Sequence, residues 1–262
     1  MISSTSNSHI KNIAKLLKSS KARREQGVFL VEGKKMFLEA KELGLIERAF
    51  LSEDLYEEWK HGEYLEGVVY DIVSFKIFKD ITDTMTPQGV IAIVRMHSTS
   101  VEDMLRREQI RLVFLEDLRD PGNLGTIVRT AEGAGMTGIV LSKNSVDIYN
   151  PKVVRSTMGS IFRMPFAYVE DIREAMRKAQ QAGTVLYATH LKGEKYYDEM
   201  QYPKKVGIVI GNEANGITDE TADQADIYVK IPMCGQVESL NAAVATSVMM
   251  YEIFRQARVQ KK

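Results

Sequence analysis

The sequence predicts an α/β fold built on a parallel sheet and preceded by a smaller α/β domain. Strand-like apolar runs alternate with helical patterns along the chain, an alternation that builds parallel sheets with right-handed crossovers. Residues 111–115 (RLVFL) are nearly all apolar, as in a strand buried on both faces. Polar sequence at 95–107 (RMHSTSVEDMLRR) then breaks the pattern, giving a linker at 97–107 between domains at 1–96 and 108–262.

A chain of 262 residues holds one large or two ordinary domains, and its 35 basic and 35 acidic side chains leave no global field to attract nucleic acid. Any such attraction must be local. Lys11, Lys15, Lys18, Lys21, Arg23 and Arg24 all precede the first acid, Glu25. Ile10, Ile13, Ala14 and Leu17 recur at helical spacing, with Lys11, Lys15 and Lys18 on another face. Such a face is either a solvated surface or a phosphate-contacting patch, and composition does not choose between them. Beyond it, 28–31 reads as strand, 34–43 as a helix closed by Gly44, 46–51 as strand and 55–60 as helix. The runs 68–70, 75–81 and 90–94 complete the small domain.

The single cysteine, Cys234, excludes an internal disulfide framework and a cysteine-rich zinc site. His9, His61, His97 and His190 lack partners at ligand spacing, so no metal is expected. No apolar run reaches membrane-spanning length and the first residues lack a secretory apolar segment, so a cytoplasmic location is expected.

In the second half, the strand at 111–115 runs into 116–125 (EDLRDPGNLG), read as a loop, and then a helix at 126–133. A strand follows at 138–141. Asn150 caps a helix at 152–162, with Pro151 at its first position. Strands at 185–189 and 206–210 follow, and Thr218 opens a further helix with Asp219 and Glu220 in its first turn. After a last strand at 227–231, Ser239 or Asn241 caps a long C-terminal helix whose first turns carry Ala242, Ala243 and Ala245. Gly133, Gly135 and Gly138 spell a dinucleotide-binding G-x-G-x-x-G, but they close a helix and enter a strand, the reverse of the required order.

In a parallel α/β sheet, ligands gather beyond the carboxyl ends of the strands. Three loops satisfy that rule: 117–125, 211–216 and 232–241. Each combines glycines with amide, carboxylate or hydroxyl groups. The segments PGNLGTIVRTAEGAG, IVIGNEANGI and IPMCGQVESLNAAVAT resemble, in order and spacing, the three motifs of the SpoU/TrmH group of RNA ribose 2′-O-methyltransferases. The resemblance runs from about residue 108 to the C-terminus. FLVEGKKMFLEA and TPQGVIAIV, more loosely, resemble the L30e-like substrate-binding domain often fused ahead of it.

The resemblance implies a SPOUT fold with a deep trefoil knot, S-adenosylmethionine as cofactor and a homodimer, to which Met249, Met250, Tyr251 and Phe254 would lend apolar area. Positions matching the cofactor-binding residues are Gly211, Ile231 and Leu240, with Thr189 alongside. The matching polar set is Asn123, Arg129, Glu213, Ser239 and Asn241. Arg129 is expected to grip an RNA phosphate and stabilise the developing oxyanion, Glu213 to orient Arg129 or the loops, Asn123 and Asn241 to fix loops, and Ser239 to contact the site. Lys11, Lys15, Lys18, Arg23, Arg24 and Arg155 are the expected RNA contacts. Ribosomal RNA is favoured over transfer RNA because of the extra domain. A transfer-RNA enzyme, a non-catalytic RNA-binding protein of the same fold and an unrelated nucleotide-cofactor enzyme stay open.

Overall fold

The computed structural model describes residues 1–82 and 84–259. The elements run, in chain order, α1 Ser8–Lys18, α2 Ser20–Gln26, β1 Val28–Glu32, α3 Lys34–Glu42, β2 Ile46–Ser52, α4 Glu53–Trp59, β3 Tyr70–Val73, α5 Phe75–Ile81 and β4 Val90–Arg95. They continue with α6 Val101–Leu105, β5 Ile110–Leu115, α7 Pro121–Gly133, β6 Gly138–Ser142, α8 Pro151–Thr157, β7 Phe166–Val169 and α9 Ile172–Gln181. The last are β8 Val185–Thr189, β9 Lys195–Tyr196, β10 Lys205–Ile210, α10 Asp219–Ala222, β11 Ile227–Lys230 and α11 Ala242–Val259.

Two compact units result: one of Met1–His97 with Asp147–Phe162, the other of Ser98–Val146 with Arg163–Lys262. The first is therefore discontinuous in sequence, and α8 packs on β1 rather than joining the sheet of the second half. The segment read as a linker holds the short helix α6, capped by Ser100.

In the first unit, β1-β4-β2-β3 form a mixed sheet in which β4 runs antiparallel to both β1 and β2. Its core gathers Leu30, Phe50, Ile91 and Ile93 from the strands with Ile10, Ile13 and Leu16 from α1. Leu16 is fully buried and Ala14 exposed, so the inward stripe of α1 is 10-13-16 with Leu17 at its edge. Lys11, Lys15, Lys18 and Arg24 are exposed, as a basic face requires. Arg23 is different. It is 3% exposed, its Nη2 lies 2.6 Å from Asp147 Oδ2, and its Nη1 donates to the Leu16 carbonyl at 2.6 Å. Its donors already serve a carboxylate and a carbonyl, so Arg23 braces the first unit instead of meeting a phosphate. Arg155, on α8, is half-buried and already partnered.

In the second unit, seven parallel strands stand in the order β7-β6-β5-β10-β8-β11-β9. Helices cover both faces, which is why β6 is buried at every residue and β5 and β10 at all but one. From β5 the chain steps outward to β6 and β7, whereas β10 leads to β11 on the other side. The strand order thus reverses between β5 and β10, the position at which open α/β sheets leave a crevice.

Several boundaries differ from the sequence reading for identifiable reasons. The loop read at 116–125 is shorter, because Asp120 accepts from the Asn123 amide as an N-cap and Pro121 sits at the first helical position. Its Pro-Gly-Asn is the first turn of α7. The helix read at 152–162 stops at Thr157, where Met158 (φ 52°) and Gly159 (φ 96°) turn left-handed before a short 3-10 turn, Ser160–Phe162. The apolar run at 68–70 leads into β3, which lies at Tyr70–Val73. Asn150 and Pro151 open α8 as expected.

Removing one partner of a buried ion pair leaves the other uncompensated. Arg23→Ala should therefore lower the unfolding free energy by about 2–4 kcal/mol in denaturant titrations, against at most about 0.5 kcal/mol for Lys15→Ala.

Candidate active site

The loops after β5 and β10 meet at the point where the strand order reverses. The sheet ladder extends one step into them, since the Glu116 amide donates to the Ile210 carbonyl at 2.9 Å. Beyond that step the chains are held by side chains. The Glu213 carboxylate accepts from the backbone amides of Asp120 (3.0 Å) and Arg119 (3.2 Å) and from Asn123 Nδ2 (3.0 Å). Asn123, itself nearly buried, turns its Oδ1 toward Asn241, whose Nδ2 donates to it at 2.9 Å. Asn241 Oδ1 in turn accepts from the amides of Ala243 (2.9 Å) and Val244 (3.3 Å), which makes Asn241, not Ser239, the cap of α11. One chain of hydrogen bonds thus runs through all three loops that the sequence singled out.

Burial alone would raise the Glu213 carboxyl, but the Asn123 amide and the backbone N–H groups around it hold it below the usual carboxylate range. A second carboxylate works in the opposite direction. Glu116, at the end of β5, accepts from the Thr218 amide and hydroxyl, both at 2.8 Å, and from the Thr221 hydroxyl at 2.5 Å.

A cavity of about 370 Å³ opens beside this lattice at the carboxyl ends of β8, β10 and β11. Its wall includes Thr189, Gly211, Glu213, Ile231, Ser239 and Leu240, together with Ala242 and Ala245 of α11. Thr189 Oγ1 donates to the Val209 carbonyl at 3.2 Å, tying β8 to β10 at the rim. Gly211 admits no side chain, since a Cβ there would lie 2.0 Å from the Gly216 carbonyl carbon. Ala242 and Ala245, at the start of α11, put only methyl groups on this wall. Apolar side chains with exposed amides and carbonyls suit a flat heteroaromatic group read by its edge.

Of the residues matched to the family motifs, the structure gathers Asn123, Glu213 and Asn241 into one network and sets Thr189, Gly211, Ile231, Leu240 and Ser239 around one cavity. Arg129 stands apart. It is exposed on α7, about 9 Å along the axis from Asn123 and off the cavity wall, and among the described residues no acid pairs with it. Glu213 binds the loops and not Arg129. Met249 and Met250 are fully buried within their own unit, whereas Tyr251 is half-exposed. The sequence reading missed Asp120, Asn212 and Glu116. The Asp-Pro pair was a readable cap signal for Asp120; no local pattern marks the other two.

A parallel α/β sheet with a ligand-sized cavity at the carboxyl ends of β8, β10 and β11, next to its topological switch point, is thus the class that fold and site define. Residues 110–251 match the model of the SpoU rRNA Methylase family, and residues 7–92 that of the MRM3-like substrate binding domain. The chain is 31% identical over 259 residues to the 23S rRNA (guanosine(2553)-2′-O)-methyltransferase RlmP of Bacillus subtilis (strain 168), covering 96% of this chain and 98% of the relative. It is 30% identical to the mitochondrial rRNA methyltransferase 3 of Homo sapiens, over 95% of this chain and 72% of that protein. The crystal structure of an AdoMet-bound rRNA methyltransferase from Sinorhizobium meliloti superposes with a TM-score of 0.87 at 34% identity, covering 97% of each chain. The chain belongs to the SpoU rRNA methylase family.

Removing the Glu213 carboxylate leaves two backbone amides and the Asn123 side chain without their acceptor. Glu213→Ala should cost about 1–3 kcal/mol in unfolding free energy. Because the folded carboxyl is held low, its contribution is complete above the ordinary glutamate range near pH 4.3 and is lost as pH falls through the lower folded value. Unfolding titrations of wild type and variant should therefore converge in acid.

Proposed function

We propose that this chain transfers a methyl group from S-adenosylmethionine to a ribose 2′-hydroxyl of RNA, with 23S ribosomal RNA the favoured substrate. The observation that carries the reading is the cavity at the carboxyl ends of β8, β10 and β11, two of whose walls, the 211–216 turn and the segment before α11, are tied together through Asn123 by the hydrogen-bond chain Glu213–Asn123–Asn241. Family membership and the AdoMet-bound neighbour support the cofactor, and the names of the two relatives support ribosomal RNA.

The cavity fits the cofactor by chemistry. Ile231 and Leu240 offer apolar walls to an adenine, the backbone around Gly211 offers amides and carbonyls to its edge, and Thr189 and Ser239 offer hydroxyls at the rim. Bound S-adenosylmethionine supplies an electrophilic sulfonium methyl, which needs a ribose oxygen in line behind it and an outlet for that oxygen's proton. The chain's own part is placement. Arg129 grips the phosphate beside the target ribose and stabilises charge developing on the oxygen. Glu213, Asn123 and Asn241 hold the loops that shape the site, and a substrate phosphate or water takes the proton.

Residues 1–96 supply RNA binding, 97–107 connect, and 108–262 carry the reaction. The family matches over 7–92 and 110–251 support this division, with Asp147–Phe162 belonging to the first unit. Lys11, Lys15, Lys18 and Arg24 contact the RNA backbone. In the same reading the segment after β11 threads as a deep trefoil knot, an arrangement supported by the close set of α11's first turn and the 211–216 turn on one wall. A homodimer forms through α11, where Val244 and Tyr251 are exposed apolar side chains. The working location is the cytoplasm; among the described residues no helix is long and apolar enough to cross a membrane.

Incubation with labelled S-adenosylmethionine and deproteinised ribosomal or transfer RNA, followed by mapping of the labelled ribose, tests class and substrate together. Label only in transfer RNA would replace the favoured substrate, and label in neither would remove the activity. Arg129→Ala should lower methyl transfer by about 10²-fold or more while cofactor affinity changes less than about threefold. Replacing Lys11, Lys15, Lys18 and Arg24 with alanine should weaken RNA binding and flatten its salt dependence by about 0.7–0.9 for each phosphate no longer neutralised.

A further inference from the structure

Asp117 is one of two non-glycine residues held at positive φ among the described residues, at 50°. Such a backbone persists only where its surroundings over-determine it. The Asp117 amide donates to Ser142 Oγ at 2.8 Å, and that hydroxyl donates back to Asp117 Oδ1 at 2.7 Å. Asn144 Nδ2 adds a donor to Oδ2 at 3.3 Å. Ser142 is 6% exposed and lies 3.2 Å from the equally buried Ser145 hydroxyl, which reaches the Leu115 carbonyl at 3.4 Å. This clasp joins the carboxyl ends of β5 and β6.

The clasp also bears on the cavity. The Asp117 carbonyl accepts from Asn212 Nδ2 at 2.8 Å, and Asn212 lies on the cavity wall between Gly211 and Glu213. Asn212 Oδ1 accepts from the amides of Ala214 (2.9 Å) and Asn215 (3.4 Å), and its backbone pairs with Gly216 in both directions at 2.9 and 2.8 Å. One amide side chain therefore closes the 211–216 turn from within and ties it to β5 from without. None of these bonds is shared with the Glu213–Asn123–Asn241 chain.

We propose that Ser142, Asp117 and Asn212 form a positioning chain for the cofactor cavity. The serine clasp holds Asp117 left-handed, that backbone presents its carbonyl to Asn212, and Asn212 sets the 211–216 turn at the geometry that takes S-adenosylmethionine. The three act through the turn and touch neither ribose nor methyl. The inference rests on the cavity being the cofactor site.

The test titrates S-adenosylmethionine calorimetrically into the full-length chain and its variants, and follows amide hydrogen exchange across 211–216 without ligand. Asn212→Ala should weaken binding by about tenfold and speed exchange in the turn. With ribosomal RNA present, its KM for the cofactor should rise while kcat holds, a split that general destabilisation does not produce. Asp117→Ala should match it, whereas Asp117→Gly should recover most of the affinity, because glycine adopts positive φ without a clasp. Ser142→Ala should weaken binding in the wild-type background and have no further effect in Asp117→Gly. Wild-type affinity in Asn212→Ala, or equal weakening by glycine and alanine at 117, would overturn the chain. Failure of the wild type to take up S-adenosylmethionine would instead overturn the cofactor reading, and exchange rates alone would then decide whether these residues hold the turn.

Discussion

The ionised carboxylate of Glu213 is the constraint on which the site depends. It lies beyond the end of β10, yet its acceptors serve the backbone of the loop after β5 and the Asn123 side chain. A sheet fixes its strands through the backbone ladder, but loops at the carboxyl ends lie past the reach of that ladder and need other partners. The Glu116 amide and the Ile210 carbonyl make its last rung. From there the two loops exchange carboxylates: Glu213 reaches back to the amides at 119 and 120, and Glu116 reaches forward to Thr218 and Thr221. The turn between them is therefore held from both ends, and the cavity on its far side inherits a fixed rim.

This arrangement also explains the choice of residues around it. Asn123 must both donate and accept, because it receives Asn241 on one side and serves Glu213 on the other. An aspartate there would set two acceptors against each other at Glu213. Asn241 has the same double duty, donating to Asn123 while capping α11. Carboxamides are the side chains that combine donor and acceptor at one tip. Glycine at 211 follows from the same crowding, since the turn folds back until Gly216 lies where a methyl group would stand.

What the sequence disclosed was what local chemistry encodes. Strand periodicity, the Asn150-Pro151 start and an Asn241 cap depend on neighbours within a few residues, and all appear in the fold. The glycine fingerprint at 133–138 fails on element order, for it closes α7 and enters β6. Misreadings had two sources. Pro-Gly-Asn carries turn residues that also suit a helix's first turn, and Asp120 decided between them. Arg23 looked like its exposed neighbours because its partner, Asp147, lies 124 residues away. The grouping of Asp147–Phe162 with the first unit, and the roles of Glu116 and Asn212, depend on similarly distant contacts. The three loops are legible from their place after strands, whereas the cofactor is legible only through family resemblance.

The same hydrogen bonds limit what chemistry Glu213 can perform. A carboxylate occupied by three donors, with its proton affinity lowered by them, is a weak base at neutral pH. Holding loops and abstracting a proton make opposite demands, because the first needs the charge neutralised by donors and the second needs it available. In the proposed transfer, the sulfonium already makes the methyl electrophilic, so the reaction asks mainly for alignment and for relief of charge on the attacking oxygen. A rigid cavity rim meets the first demand. The second is assigned, in that proposal, to Arg129, an exposed guanidinium that no acid pairs with among the described residues.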